Sequence, residues 1–165
     1  MPHLDAAYNL ARWLARDPGL ADDIVQDAML RAMTYFASFR GENPRAWLLQ
    51  IVRNVALDML RSRRATQELE IPLERDRDDD QADFDLPDPG SGPEMTLALK
   101  QDLQELDRAV AGLPAELREC LVLRELEELS YKEIAHIVGA PIGTVMSRLW
   151  RARRLLLRSR GEGPA

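Results

Sequence analysis

The chain has 165 residues, of which 45% are apolar and 5% aromatic, and this size fits one ordinary domain or two small ones. The single cysteine, Cys120, excludes an internal disulfide framework. No apolar run approaches the ~20 residues that a membrane-spanning helix needs, and no basic region precedes an apolar core at the N-terminus. We therefore expect a cytoplasmic protein without a signal peptide or membrane insertion.

The net charge of -6 is distributed unevenly. Residues 1–64 carry +2, residues 65–93 carry -8, and residues 94–165 are neutral, although residues 142–165 alone carry +5. Nucleic acid responds to a local basic patch rather than to the charge of the whole chain. The overall acidity therefore does not exclude DNA binding by the C-terminal segment.

Residues 1–64 predict three helices. The first covers residues 3–16 and ends at Asp17-Pro18-Gly19; the second covers about 20–37, with Asp22 and Asp23 in its first turn; the third runs from Pro44 to about Arg64. Apolar residues at helical spacing predict a buried stripe on each of the last two helices. These stripes are Val25, Met29, Ala32 and Phe36, and then Leu48, Val52, Val55 and Met59.

Residues 65–93 are rich in Asp, Glu, Pro and Gly, which predicts an acidic, flexible linker. Four helices are predicted after it, over 94–111, 114–126, 130–138 and 142–158. The predicted fold is all-α, with a three-helix domain over 1–64 and a four-helix domain over 94–165. We expect the acidic linker to compete with random DNA for the basic faces.

The last two helices have the pattern of a helix-turn-helix. Ser130 and Glu133 form a capping box, and Gly139 ends the shorter helix. Ile134, Ala135 and Val138 supply its small apolar face. On the longer helix the core stripe is Val145, Leu149, Ala152 and Leu156, and the opposite face is polar and basic, as major-groove docking requires. That face consists of Thr144, Ser147, Arg148, Arg151, Arg154 and Arg158.

Residues 108–158 resemble domain four of the bacterial extracytoplasmic-function (ECF) sigma factors, the group-4 members of the sigma-70 family. The resemblance lies in Leu113-Pro114, in the segments 117–124 and 129–135, and in Gly143-Thr144-Val145-Met146-Ser147-Arg148 with the residues up to Arg154. It implies recognition of the promoter −35 element. Met146 departs from the lysine that is more usual in the family.

Residues 8–64 resemble domain two of the same family, although the family usually has more of the first helix before the position of Tyr8. The resemblance implies that the second helix docks on the clamp helices of RNA polymerase. Its spacing places an acidic rim around an exposed leucine. The docking residues are Asp23, Gln26, Asp27 and Leu30.

The third helix and the loop before it resemble the family's melting and −10 recognition region. The resemblance implies that the loop from Phe39 to Asn43 captures a flipped base and that cations on the helix track single-stranded DNA. The implied DNA-binding residues are Arg40, Asn43, Arg53, Asn54, Arg61, Arg63 and Arg64. We assign Trp47 to core packing at the helix start rather than to base stacking.

The resemblance implies a transcription initiation factor that binds the clamp helices and flap of core RNA polymerase and directs it to promoter DNA. It also implies control by an anti-sigma factor. We expect a monomer when free, no cofactor and no enzymatic activity, because the sequence offers no catalytic constellation. His3 and His136 have no partner at metal-ligand spacing.

Two other functions remain open on the sequence. One is a dimeric repressor or activator, which would explain the C-terminal domain but not residues 20–64. The other is an interaction module with a degenerate helix-turn-helix, such as a decoy for an anti-sigma protein. The first predicts a palindromic site and a homodimer, and the second predicts no promoter activity.

Overall fold

The computed structural model describes residues 3–41, 43–69 and 96–159. The α-helices of this part are α1 Leu4–Ala15, α2 Pro18–Tyr35, α3 Pro44–Leu69, α4 Leu97–Ala111, α5 Ala115–Glu125, α6 Tyr131–Val138 and α7 Ile142–Ser159. A 3-10 turn, Phe36–Ser38, follows α2. The described residues contain no strand, and the expected all-α fold is confirmed.

Helices α1, α2 and α3 pack against one another as a three-helix bundle. The second helix begins earlier than predicted, because Asp17 caps it and Pro18 occupies its first position. The Asp17 carboxylate accepts hydrogen bonds from the backbone N–H groups of Gly19 (2.9 Å) and Leu20 (3.3 Å). The expectation that Asp22 and Asp23 lie in the first turn was therefore wrong, and Asp17 supplies the negative charge at this terminus.

The buried stripes of this bundle are confirmed except at one end. Val25, Ala32, Leu48, Val52 and Val55 are buried, and Met29 and Met59 are half-buried. Phe36 was predicted to be buried but is 65% exposed. The α-helix ends at Tyr35, and the tighter 3-10 turn rotates Phe36 off the stripe.

The third helix is longer than predicted and continues to Leu69. Residues 65–69 were assigned to the linker but are helical, since Ala, Gln, Glu and Leu there are good helix formers. The rest of the predicted linker, together with residues 94 and 95 of the predicted fourth helix, lies outside the described residues.

In the second domain, α5, α6 and α7 surround a small core, and α4 packs lightly on α7. Thr96 caps α4 by accepting a hydrogen bond from the N–H of Leu99 (3.2 Å). Several leucines of α4 stay exposed, because little of this helix is covered by the rest of the domain. They are Leu97, Leu99, Leu103 and Leu106.

The two domains are in contact. Helix α1 packs against α5, and α3 packs against α6. The Arg53 guanidinium of α3 binds the Glu119 carboxylate of α5 through two hydrogen bonds, from Nε to Oε2 (2.7 Å) and from Nη2 to Oε1 (3.0 Å). The sequence pattern predicted two domains but gave no sign of this interface.

Candidate DNA-binding and polymerase-binding surfaces

The turn between α6 and α7 has the geometry that the sequence predicted. Ser130 Oγ accepts from the N–H of Glu133 (3.1 Å), and Glu133 Oε1 accepts from the N–H of Ser130 (3.0 Å). These bonds hold the pKa of Glu133 below its ordinary value, chiefly through the backbone N–H of Ser130. Gly139 has a φ of 68°, a left-handed conformation that glycine adopts without strain. The predicted capping box and turn are therefore confirmed.

The two helices of this motif are locked together by a small apolar core. Ile134, Val138, Val145, Leu149 and Ala152 are buried as predicted. Ile137 is also buried, a position that the predicted apolar face omitted, whereas Ala135 and Leu156 are half-buried. This core fixes the orientation of α7 relative to the rest of the domain.

The outer face of α7 is open to solvent. Ser147, Arg151, Arg154 and Arg158 are exposed, and Thr144 is half-buried near the helix start. Helix α7 contains five arginines and no acidic residue. An exposed cationic face without competing carboxylates on the same helix is suited to a polyanion.

Arg148 differs from the other predicted recognition residues because it points inward. Its side chain is 22% exposed, and its Nη2 lies 3.9 Å from Glu116 Oε2. Burial raises the pKa of the Cys120 thiol, and a hydrogen bond from Arg148 acts in the opposite direction. In this conformation Arg148 therefore links α7 to α5.

Two apolar side chains of α7 are exposed, which the sequence pattern had not led us to expect. Met146 is 51% exposed and Trp150 is 60% exposed, one helical turn apart. The guanidinium of Arg154 lies 5.0 Å from the centroid of the Trp150 ring, a cation–π contact. The i, i+4 spacing of Ile142, Met146 and Trp150 on the side away from the core stripe was the signal that could have revealed them.

The predicted −10 residues fall into two groups on the first domain. Arg40 is exposed in the loop before α3, and Asn54, Arg61, Arg63 and Arg64 are exposed along that helix. Arg63 donates a hydrogen bond to Asp17 Oδ2 (3.0 Å), and this bond is the main cause of the lowered pKa of Asp17. Most of the predicted −10 residues are therefore accessible to DNA.

The other group contains Asn43 and Arg53, whose polar groups are already bound. Asn43 Oδ1 accepts from the N–H of Ala46 (3.2 Å), so this side chain also caps α3. The Asn43 amide donates to the carboxylate of Glu133, and Arg53 binds Glu119. Both partners belong to the second domain.

An aromatic cluster lies at the start of α3. The ring centroids of Phe39 and Trp47 are 5.1 Å apart, and Phe36 meets Trp47 edge to face at 6.4 Å. Trp47 is half-buried and packs against the core of the domain. The assignment of Trp47 to packing is confirmed, and the loop residues next to it are positioned by these rings.

The predicted polymerase-binding patch is a continuous surface of α2. Asp23 and Gln26 are exposed, Asp27 is half-buried, and Leu30 is 64% exposed. Asp27 forms an ion pair with Arg31, with 3.3 Å between Asp27 Oδ2 and Arg31 Nη2. Met33, three residues after Leu30, is 71% exposed and extends the apolar part of the patch. Met33 was not among the docking residues predicted from the sequence, which ended at Leu30.

Two kinds of feature are absent from the described residues. No helix in the ranges 3–41, 43–69 and 96–159 is long and apolar enough to cross a membrane. No group of three or more histidine, cysteine or acidic side chains in the same ranges is arranged to hold a metal ion.

The fold and these surfaces define a two-domain helical protein with a helix-turn-helix. Residues 1–66 match the protein family Sigma-70 region 2, and residues 103–156 match the family Sigma-70, region 4. The chain is 36% identical over 146 residues to the ECF RNA polymerase sigma-E factor of Escherichia coli, covering 84% of this chain and 72% of the relative.

The same group includes a longer relative and a solved complex. The ECF RNA polymerase sigma factor SigE of Mycolicibacterium smegmatis is 31% identical over 154 residues, covering 93% of this chain, which spans 57% of that relative. The solved sigma factor RpoE in complex with the anti-sigma factor NepR from Bartonella quintana has a TM-score of 0.74 and 29% identity. That similarity covers 99% of this chain and 94% of the other.

The chain belongs to the ECF group of the sigma-70 family of RNA polymerase sigma factors. It is a transcription initiation factor, which directs RNA polymerase to promoters.

Proposed function

We propose that the two domains divide promoter recognition between them. The first domain, residues 1–64, binds core polymerase, reads the −10 element and assists melting. The second domain, residues 94–165, reads the −35 element through α7. The observation that carries this assignment is the face of α7, which presents exposed arginines to solvent and has no acidic residue.

The surface around Leu30 supports the proposed polymerase contact. An exposed leucine and methionine beside acidic side chains suit a helical partner with apolar and basic residues, which is the chemistry we assign to the clamp helices. The second domain would contact the flap. Each contact contributes modestly, because tethering raises the effective concentration of the second site once the first is bound. We propose that the chain acts in the cytoplasm and catalyses no reaction itself.

Run-off transcription tests this function. Bacterial core polymerase would be incubated with and without the full chain on genomic fragments, including the region upstream of its own gene. Discrete transcripts that depend on the chain support the proposal. DNA binding without new transcripts would instead favour a polymerase-independent regulator, and a palindromic site with a homodimer would identify it as the dimeric alternative.

A matched pair of arginine variants tests the placement of the −35 surface. Arg151 is exposed on α7, and Arg108 is exposed on α4, outside the helix-turn-helix. Arg151→Ala should weaken binding to the −35 duplex, while Arg108→Ala should leave it unchanged. Equal effects of the two variants would show that binding depends on overall charge and not on the face of α7.

We also propose control by an anti-sigma factor that enters the groove between the domains. This groove has a volume of about 1100 Å³ and is lined mainly by apolar side chains, including Tyr8, Trp13, Leu103 and Leu106. Its charged lining residues are Asp5, Asp22, Asp107, Glu125 and Arg153. Acidic residues beside an apolar lining complement an amphipathic helix with basic flanks. The similar solved structure, of a sigma factor with an anti-sigma factor, supports this class of partner.

A variant in the groove tests this partner. Leu106 is exposed on α4, so Leu106→Glu should fold normally and should make the groove acidic. A cognate anti-sigma factor should inhibit run-off transcription by the natural chain and should inhibit the variant much less. Leu99→Glu is the control, because Leu99 is also exposed on α4 (46%, against 39% for Leu106) and is not among the residues that line the groove. Equal inhibition of both variants would contradict the proposed site.

A further inference from the structure

The arginines of α7 occupy different positions around the helix. They are Arg148, Arg151, Arg153, Arg154 and Arg158. Successive residues of an α-helix are about 100° apart, so Arg148 lies about 40° from the buried Ala152. By the same spacing Arg153 lies about 40° from the buried Leu149, on the other side of the core stripe. These two arginines therefore flank the core stripe, and the other three lie farther from it.

Arg148 holds the first flank of the stripe against α5. Its side chain is 22% exposed, and its Nη2 lies 3.9 Å from Oε2 of Glu116, in the first turn of α5. Arg148 also donates a hydrogen bond to the thiol of Cys120, which is fully buried one helical turn later. The Glu116 side chain is 75% exposed, so the ion pair alone contributes little. The rigid fork of the guanidinium gains from having two acceptors on one helix.

Arg153 holds the second flank. Its Nη2 donates a hydrogen bond to Oε1 of Glu125 (2.8 Å). Glu125 is the last residue of α5 and lies about 14 Å along that helix from Glu116, at about 1.5 Å per residue. The two flanks of α7 are therefore bonded to opposite ends of the same helix.

Helix α5 is a fixed reference for these contacts. Residues 117–123 are all buried. Arg118 Nη1 donates hydrogen bonds to the backbone carbonyls of Ala111 (3.0 Å) and Leu113 (3.3 Å), which attach α5 to the turn that precedes it. A side chain of α7 that is bonded to α5 is therefore held relative to the whole domain.

The other three arginines face solvent. Arg151, Arg154 and Arg158 are exposed, and within the described ranges none of them forms an ion pair. Phosphate oxygens are the commonest partners of such cations at a DNA surface. These three side chains are thus available to DNA, whereas Arg148 and Arg153 already bind groups of α5.

Contacts on both flanks restrain α7 in a way that its apolar stripe does not. Burial of apolar side chains is non-directional, so the stripe alone tolerates small rotations of α7 about its own axis. Rotation in one direction lengthens the contact of Arg148, and rotation in the other direction lengthens that of Arg153. Hydrogen bonds to base edges weaken steeply when their angles are poor, so this rotation decides which bases α7 can distinguish.

We propose that Arg148 and Arg153 are positioning residues: they set the rotation of α7 against α5 and make no contact with DNA. The remaining arginines of α7 bind the DNA itself. The inference rests on the proposed function, which assigns reading of the −35 element to α7. It removes Arg148 from the recognition residues predicted from the sequence. It also makes Arg153, which that prediction omitted, a determinant of selectivity.

Three alanine variants separate positioning from DNA contact. The full chain would be titrated with a duplex of the mapped −35 element, and with the same duplex carrying one base-pair substitution, over a range of salt concentrations. Arg151→Ala should reduce the slope of log affinity against log salt by about one. Arg148→Ala and Arg153→Ala should keep the natural slope. They should lower the affinity ratio between the two duplexes by about fivefold, the lower end of the value of one bidentate base contact.

Exchanging the charges of Arg153 and Glu125 controls for structural damage. Arg153→Glu alone places two carboxylates opposite each other and should lower the affinity ratio at least as much as Arg153→Ala. Adding Glu125→Arg restores an ion pair of reversed polarity and should recover most of the natural ratio. Circular dichroism at the assay temperature would show that every variant is folded. A merely stabilising role would change the melting temperature and leave the ratio of the folded protein unchanged.

Three outcomes would overturn the inference. The first is a salt slope that falls for Arg148→Ala or Arg153→Ala as much as for Arg151→Ala. The second is a natural affinity ratio in both of those variants. The third is a charge exchange that binds no better than Arg153→Glu, because a carboxylate at a phosphate contact would repel DNA. Failure of the proposed function is separate, since the natural chain would then distinguish no −35 duplex and support no run-off transcription.

Discussion

The two domains present the side chains that we propose for DNA binding in different ways. The second domain carries Arg151, Arg154 and Arg158 on the outer face of α7, whereas Arg148 turns inward. The first domain holds two of its predicted DNA residues, Asn43 and Arg53, against carboxylates of the second. An accessible surface and a covered one therefore occur in one chain, and the difference arises from contacts between domains rather than from helical pattern.

The core of the helix-turn-helix gives the largest expected effect. Leu149 is 1% exposed between α6 and α7, and Leu149→Ala should destabilise the second domain by about 2–5 kcal/mol. Hydrogen exchange on α2 and α7 would then show how far the domains depend on each other. We expect faster exchange in α7 and a smaller increase in α2. Equal increases would show that the domains unfold as one unit.

Two arginines of α7 allow an exposed position, Arg151, to be compared with an inward-facing one, Arg148. Arg151→Ala should weaken −35 binding and reduce the slope of log affinity against log salt by about one, the value for one phosphate contact. The sequence predicts the same loss of binding and of salt dependence for Arg148→Ala. This effect requires that Arg148 leaves its contact with α5 and reaches DNA. A normal salt slope for Arg148→Ala with a lower melting temperature would show that its bonds to α5 persist on DNA.

The capping box has a smaller effect that is confined to one domain. Ser130→Ala removes the acceptor for the N–H of Glu133 and should cost about 1 kcal/mol of stability. Urea unfolding followed by circular dichroism would measure the change. Ser62→Ala serves as the control, because Ser62 is exposed in the interior of α3. Comparable losses at the two positions would contradict the capping role.

The exposed tryptophan of α7 tests whether that face makes apolar contacts to bases. An apolar side chain in the major groove recognises the methyl group of thymine. Replacing one thymine of the −35 element by uracil should cost the natural chain about 0.8 kcal/mol, the value for one buried methyl group. In Trp150→Ala the same replacement should cost nothing further. An undiminished penalty in the variant would mean that Trp150 contacts no thymine methyl.

The smallest expected effect is on the loss of folding stability at acidic pH. The pKa of Glu133 is lowered in the folded chain, so its charge stabilises the fold above its ordinary value of 4.5. This contribution is lost as the pH falls through the lowered pKa. Glu133→Gln should therefore flatten the acid limb of stability against pH, measured by thermal unfolding between pH 3 and pH 6 (about the range of carboxyl titration). The exposed Glu116→Gln should retain the limb.

The sequence predicted local structure well, because local structure depends on neighbours in the chain. The capping box at Ser130, the turn at Gly139 and the exposed position of Leu30 all follow from residue type and helical spacing. Phe36 was misplaced because a 3-10 turn changed the periodicity at the end of α2. The end of α3 was misplaced because residues 65–69 extend a helix that composition alone assigned to the linker.

The contacts of Arg53 and Arg148 could not be predicted from the sequence. Periodicity shows which face of a helix a side chain occupies, but it does not show which distant residue lies opposite that face. Glu119 is 66 residues from Arg53 in the chain, and its pairing depends on how two domains pack. The exposure of Met146 and Trp150 was missed for another reason: apolar residues of α7 were assigned only to the core stripe, and the face opposite that stripe was expected to be polar and basic.

The central claim is that the two domains perform separate tasks at one promoter. Its most direct test is footprinting of the holoenzyme with Arg151→Ala and, separately, with Arg61→Ala, an exposed residue of α3 that takes no part in the interface. DNase protection would report −35 contact, and permanganate reactivity of thymines would report melting. Our account predicts that Arg151→Ala weakens protection of the −35 element, whereas Arg61→Ala retains that protection and reduces permanganate reactivity near −10. If both variants impaired both signals equally, the assignment of separate tasks to the two domains would be contradicted.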